Sequence, residues 1–261
     1  MSSRAGELVQ VEDRGAARWL TLNRPDVRNA LSADLVTALK EALRDPGPAR
    51  VLVLTGAGKA FSAGADLKAL ESMQSATFEE NVADSRHLAE LFRMIAEHPL
   101  PVVAAVQGHA IAGGAGLALA CDATFVARGA KLGFTETRIG FVPAIILNFL
   151  LRTAGEKVLR DLCLTGRLFD ADEALDLGLV TGVVEPDELR ARVDAHVANL
   201  AAASGEAIAM TKRLFLDLVP LADGLDLAAQ VNARARATDD CREGIAAFLE
   251  KREPSWRKTD E

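Results

Sequence analysis

The sequence predicts an α/β fold that ends in a helical appendage, on three observations. Apolar runs of strand length, among them RWLTL, RVLVL and PVVAAV, alternate with segments of helical spacing through the first half of the chain. Those runs stop at proline or glycine (Pro25, Gly56 and Gly108), residues that end a strand sharply. From Pro143 onward the spacing turns mainly helical. Strand, helix, strand in that order implies right-handed crossovers and a layered core, which we place at residues 1–200. Residues 201–261 read as a helical region whose default role is packing or oligomerisation.

In chain order, RWLTLNRP is a strand ending at Pro25. Ser32 is placed to cap the next helix, with Leu35, Leu39, Ala42 and Leu43 on its apolar face. ARVLVLTGAG is a buried strand halted at Gly56. Residues from Val82 to Ala96 have helical spacing, ended by His98-Pro99. PVVAAVQG is a second buried strand and DATFVA, Asp122 to Ala127, a third. PAIILNFLLRTAG reads as a helix with proline in its first turn and Gly155 past its end. Asp170, three residues before Glu173, suits the cap of a helix that Gly178 stops. LVTGVVEP is a short strand, and helical stretches are expected near 187–203, 205–219 and 224–251.

Composition narrows the functional classes. A chain of 261 residues, 49% of them apolar, can bury one large core. Its net charge of -7 disfavours nucleic acid as a partner. Cys121, Cys163 and Cys241 lie far apart with no C-x-x-C pair, so neither a disulfide framework nor a metal site is expected. The longest apolar runs, such as Val142 to Leu151, are too short to span a bilayer. The start, MSSRAGELVQVEDRG, has no apolar leader core. A cytoplasmic protein with no membrane partner is therefore expected.

Two glycine-rich segments follow buried strands: LTGAGKAFSAGADL and GHAIAGGAGLALACD. The first lacks the G-x-x-x-x-G-K-[ST] of a phosphate loop, and Phe61 stands where a dinucleotide turn needs its third glycine. Ala60-Phe61-Ser62-Ala63-Gly64 is a variant of the nucleophile elbow, but a serine hydrolase also needs a late loop histidine. His196, the last of four histidines, lies in a helical pattern. What remains is backbone chemistry or two ordinary tight turns. If the two strands are sheet neighbours, the turns emerge together and their N–H groups converge. Such a pair can hold a developing acyl oxyanion, each donor contributing about 3 kcal/mol.

NRPDVRNALS, VLVLTGAGKAFSAGADLKAL, PVVAAVQGHAIAGGAGLALACD, KLGFTETRIGFVP, DADEALDLGLVTGVV and EGIAAFLEKREPSW stand in the order and spacing seen in the enoyl-CoA hydratase/isomerase (crotonase) family. The resemblance runs from about Val9 to Trp256. It implies a spiral of ββα units with a C-terminal all-helical trimerisation region, assembled as a homotrimer or a dimer of trimers. It also implies a place in fatty-acid metabolism, with an acyl-CoA thioester as partner passing through an enolate. By this resemblance the oxyanion donors are the N–H groups of Ala65 and Gly113. Ala63, Asp66, Leu67, Lys68 and Gly114 match positions that contact substrate or CoA, and Arg28 a basic position near the CoA phosphates. Coenzyme A enters as part of the substrate, so no separate cofactor is implied.

Hydratases of this family typically use two glutamates. Glu136, in Leu132-Gly133-Phe134-Thr135-Glu136, matches the second and is the expected acid–base catalyst. Gly116 stands where the GGG-x-E pattern has the first, so one carboxylate is missing, and the chain has no tyrosine to replace it. Adding water to a 2-enoyl-CoA puts a hydroxyl on C3 and a proton on C2, work that two carboxylates divide. Moving a double bond from C3–C4 to C2–C3 needs one base, which shifts a proton from C2 to C4. GFTETRIG resembles single-glutamate isomerases, whereas GFVPAIILNFLLR resembles members acting on branched or glutaconyl-type CoA esters. The expectation is a hydratase-type lyase. A Δ3-Δ2-enoyl-CoA isomerase is the alternative, and a catalytically silent acyl-CoA-binding paralogue the third reading.

Overall fold

The computed structural model describes residues 8–219 and 221–257. Strands β1 (Val9–Arg14) and β2 (Ala17–Leu22) form an antiparallel hairpin. Beside β2 lie β3 (Val51–Gly56), β5 (Val102–Val106), β7 (Ala123–Ala127) and β10 (Gly182–Val184), all parallel, giving the order β1-β2-β3-β5-β7-β10. A second sheet is built from three-residue strands: β4 (Ala60–Ser62), β6 (His109–Ile111), β8 (Lys131–Gly133) and β9 (Leu168–Asp170). Its order is β4-β6-β8-β9, with only the β8–β9 pair antiparallel. Three times the chain passes from the first sheet to the second, β3 to β4, β5 to β6 and β7 to β8. A helix follows the first two passages directly, which is the expected ββα repeat.

The central strands β5 and β7 are buried at every position because both faces of the sheet are covered. That is why they read as unbroken apolar runs rather than alternating ones. On one face Leu52, Leu54 and Ala104 join Leu35 and Leu39 of α1 (Ala33–Arg44) and Phe92 and Ile95 of α3 (Phe78–Glu97), with the short α2 (Leu67–Ser72) between those helices in sequence. On the other, Val53, Val103 and Phe125 meet Leu189, Val193 and Val197 of α8 (Leu189–Ala202). Each such side chain removed from water stabilises the fold by roughly 1.5–3 kcal/mol.

The caps explain the helix boundaries. Ser32 accepts from the Leu35 N–H at 3.3 Å, as its place before α1 predicts. Helix α3 starts four residues earlier than its spacing suggests, because Thr77 and Glu80 form a reciprocal capping box. Asp170 caps α7 (Ala171–Asp176) by accepting from the Glu173 N–H at 2.9 Å. Between these lie α4 (Gly113–Leu119), α5 (Ala144–Leu150) and α6 (Glu156–Thr165).

The C-terminal region holds α9 (Gly205–Leu218), α10 (Ala222–Arg236) and α11 (Asp239–Glu250). The single helix expected over 224–251 is thus two. Thr238 is extended and accepts from the Cys241 N–H at 3.2 Å, so it opens a new helix with Asp239 and Asp240 in its first turn. No helix among the described residues is long and apolar enough to cross a membrane.

Candidate active site

β3 and β5 are hydrogen-bonded neighbours, Leu54 opposite Ala104, so the segments that follow them leave one edge of the sheet together. They then pair again as β4 and β6 in the second sheet. The turn after β4 needs Gly64: its φ is +82°, and a Cβ there would lie 2.7 Å from the Ile111 carbonyl oxygen. The turn after β6 is made by Ala112, at φ 52° and ψ -127°, a backbone state costing a residue with a side chain of order 1–3 kcal/mol. The Ala112 N–H donates to the Gly133 carbonyl of β8 at 2.7 Å, which holds the turn in place.

These two turns bring the Ala65 and Gly113 nitrogens face to face. A Cβ built on Gly113 would stand 4.0 Å from the Ala65 nitrogen, and one on Gly64 would stand 3.1 Å from the Gly113 nitrogen. Neither N–H has an acceptor among the described residues. Both line a cavity of about 130 Å³ with an almost wholly apolar wall that includes Leu67, Leu70, Leu88, Phe92 and Ile146. Thr135, Glu136 and Asn232 are the residues with polar side chains among those that line it.

Glu136 opens a single 3₁₀ turn between β8 and α5. Only 6% of it is exposed, and its Oε2 has no hydrogen-bond partner. Burial pushes its carboxyl up to about 7, with its own backbone N–H pulling weakly the other way. A carboxyl that is half ionised near neutral pH is suited to both taking and giving a proton.

Of the residues the sequence singled out, Ala63, Ala65, Leu67, Gly113 and Glu136 share the cavity. Gly114 sits behind it, where a Cβ would meet the Ser62 carbonyl oxygen at 2.3 Å. Gly116 is buried in α4, and a Cβ there would lie 2.0 Å from Ile146 Cγ2 and 3.2 Å from Phe92 Cε1. Asp66 faces Arg24 at 3.1 Å and caps α2 through the Ala69 N–H, while Lys68 and Arg28 are exposed. Arg28 is close to the site through its backbone, its carbonyl accepting from the Ala63 N–H at 2.9 Å.

Ser62 is structural. Its Oγ donates to the Asn29 carbonyl at 2.9 Å and accepts from the Gly64 N–H at 3.2 Å, and no histidine lines the cavity. His196 packs edge-on against Phe125, on the α8 side of the first sheet.

Sequence reasoning passed over Asn29. It is fully buried at φ 54°, and its Nδ2 points at the carbonyls of Ala57 (3.0 Å), Ala60 (2.9 Å) and Phe61 (3.1 Å). Its place in NRPDVRNALS, one residue after Arg28, was the available signal.

Two free backbone N–H groups and one buried carboxyl thus face a single apolar cavity. The enoyl-CoA hydratase/isomerase family model matches residues 13–259, and the chain belongs to that family. A protein of Thermus thermophilus named "Putative enoyl-CoA hydratase" is 47% identical over 255 residues, covering 95% of this chain and 100% of that one. The crotonyl-CoA hydratase of Syntrophomonas wolfei is 33% identical over 261 residues, covering 97% and 98%. The crystal structure of an enoyl-CoA hydratase from Mycobacterium avium superposes with a TM-score of 0.84 at 37% identity, covering 98% of this chain and 100% of that one. The fold is the α/β crotonase fold, with two mixed sheets and a C-terminal helical region.

Proposed function

We propose that the protein hydrates a 2-enoyl-CoA thioester, with Glu136 as its acid–base group and the N–H groups of Ala65 and Gly113 as its oxyanion hole. The observation that carries this reading is the shared cavity: a buried carboxyl with one unpartnered oxygen and two unpartnered N–H donors face one space. The names of the relatives in Thermus and Syntrophomonas point the same way.

The thioester oxygen accepts from both N–H groups, which draws electron density from the C2=C3 bond. Glu136, ionised, takes a proton from water as the water oxygen bonds to C3. The π electrons move onto the thioester oxygen as an enolate, where each donor contributes about 3 kcal/mol. Protonated Glu136 then returns the proton to C2 and the enolate collapses. One carboxyl serving both carbons delivers hydroxyl and proton to the same face.

Ala63 and Leu67 at the cavity wall, with Asp66 next to Leu67 and the cations of Arg28 and Lys68, would receive the CoA moiety, and Gly114, packed against Ser62, would support that wall from behind. The proximity of Arg28 to Ala63 supports that placement. The helices beyond about residue 200 would join copies of the chain into a trimer or a dimer of trimers.

One observation favours isomerisation as the second reading. By resemblance Gly116 holds the place of the first family glutamate, and Ile146 fills the space beside it. A site with a single carboxyl suits a proton shuttle between C2 and C4.

The test offers purified protein crotonyl-CoA and, separately, a 3-enoyl-CoA. Loss of the conjugated thioester absorbance from the first is the expected outcome. Gain of that absorbance from the second, with crotonyl-CoA untouched, selects the isomerase instead. Glu136→Gln should lower either turnover by at least about a hundredfold, the scale of general acid–base catalysis. Undiminished turnover would remove Glu136 from the mechanism.

A further inference from the structure

Asn232 is 4% exposed, lines the cavity from α10, and leaves its Oδ1 without a hydrogen-bond partner. Buried side-chain amides are normally satisfied, so an orphaned one facing a cavity points to a ligand group that completes it. One turn beyond it Arg236 is tied to α3, its terminal nitrogens reaching Asp84 at 2.7 Å and the Asn81 Oδ1 at 3.2 Å.

The same contacts locate Asn232 along the cavity. α10 packs along α3, and Arg236 meets Asn81 and Asp84. Asn232 is one turn before Arg236, as Ser85 is one turn after Asn81. Ser85 is fully buried and its Oγ is also unpartnered. From that level Phe92, whose ring borders Gly116, is seven residues further along α3, about 10 Å. Leu88, between them, lines the cavity too. Asn232 therefore stands at a different level of the cavity from Gly116.

We propose that Asn232 is a specificity-determining residue that recognises a hydroxyl on the acyl chain beyond the double bond. The substrate class is then a hydroxylated 2-enoyl-CoA thioester, an assignment that rests on the enoyl-thioester reading above. A hydroxyl can donate to Oδ1 and accept from Nδ2, completing the amide in both directions. A second carboxylate on the substrate fits poorly. It offers Oδ1 no proton, and it would add a negative charge near Glu136 with no Lys, Arg or His on the cavity wall to balance it.

The test compares kcat/KM of the full-length protein for six-carbon 2-enoyl-CoA thioesters. One is unsubstituted, three carry a hydroxyl at successive carbons beyond the double bond, and one ends in a carboxylate. Wild type should prefer at least one hydroxylated thioester to the unsubstituted one by about tenfold, the scale of a neutral hydrogen bond, and should discriminate against the carboxylate. Asn232→Leu should abolish or invert the hydroxyl preference. A wild-type preference for the unsubstituted or carboxylated thioester overturns the assignment. So does a variant that loses activity on all thioesters equally, as a merely structural residue would. If no thioester turns over, the enoyl-thioester reading fails by itself. Calorimetric Kd values for the saturated hydroxylated and unsubstituted acyl-CoAs then decide Asn232. A preference present in wild type and lost in Asn232→Leu upholds it, and equal affinities overturn it.

Discussion

At Glu136, burial of the carboxyl links its protonation to stability. Its carboxyl rises from 4.5 to about 7 on folding. Between those pH values the native chain keeps a proton that the unfolded chain has released. The contribution is complete below pH 4.5 and is lost as pH rises through 7, a change of about 3 kcal/mol. Glu136→Gln, fixed in the neutral form, escapes this loss. Urea denaturation at a series of pH values should show the variant gaining on wild type by about 3 kcal/mol from pH 4.5 to above 7. Parallel curves would show that the carboxyl is not perturbed by folding. The motif singled out Glu136, which lies on the cavity wall, and the glycine at 116 was plain in the sequence. What fills the space beside Gly116 was not, because Ile146 comes from a helix thirty residues away whose packing no local pattern encodes.

Among elements, the two turns depend on a clamp outside themselves. Asn29 ties the segment after β2 to Ala57, Ala60 and Phe61, and the Arg28 carbonyl next to it receives the Ala63 N–H. Asn29→Ala should lower stability by about 2–3 kcal/mol, since buried carbonyls lose their donor, and should reduce turnover with it. Asn29→Gly keeps the positive φ without the amide. An equal loss in chemical denaturation assigns the effect to the hydrogen bonds, and a wild-type value for the glycine variant would assign it to backbone conformation. The caps at Ser32 and Asp170 and the long buried strands were readable because each has a local signature. The second sheet was not, since strands of three residues are too short to show a period. The break at Thr238 had a signal, Thr followed by two aspartates, that the helical spacing on either side obscured.

Across the whole molecule, one apolar surface stands apart from the scattered rest. Met210, Leu214, Phe215, Leu218 and Val219 on and just after α9 are each 55–71% exposed, and 210, 214 and 218 form one helical stripe. The proposed joining of copies through the C-terminal helices would use this surface. Leu214→Glu combined with Leu218→Glu should shift sedimentation from an oligomer to a monomer without loss of helical signal. A wild-type protein that sediments as a monomer would remove this assignment. The wider arrangement also separates two kinds of part. The N–H donors follow strands pinned in both sheets, whereas Glu136 rides on one turn that belongs to neither. On the proposed reading, the grip on the thioester is a fixed fitting and the proton carrier sits on a separate turn. On that reading, the buried side chain on the 3₁₀ turn can be changed while the strands that carry both N–H groups stay in place.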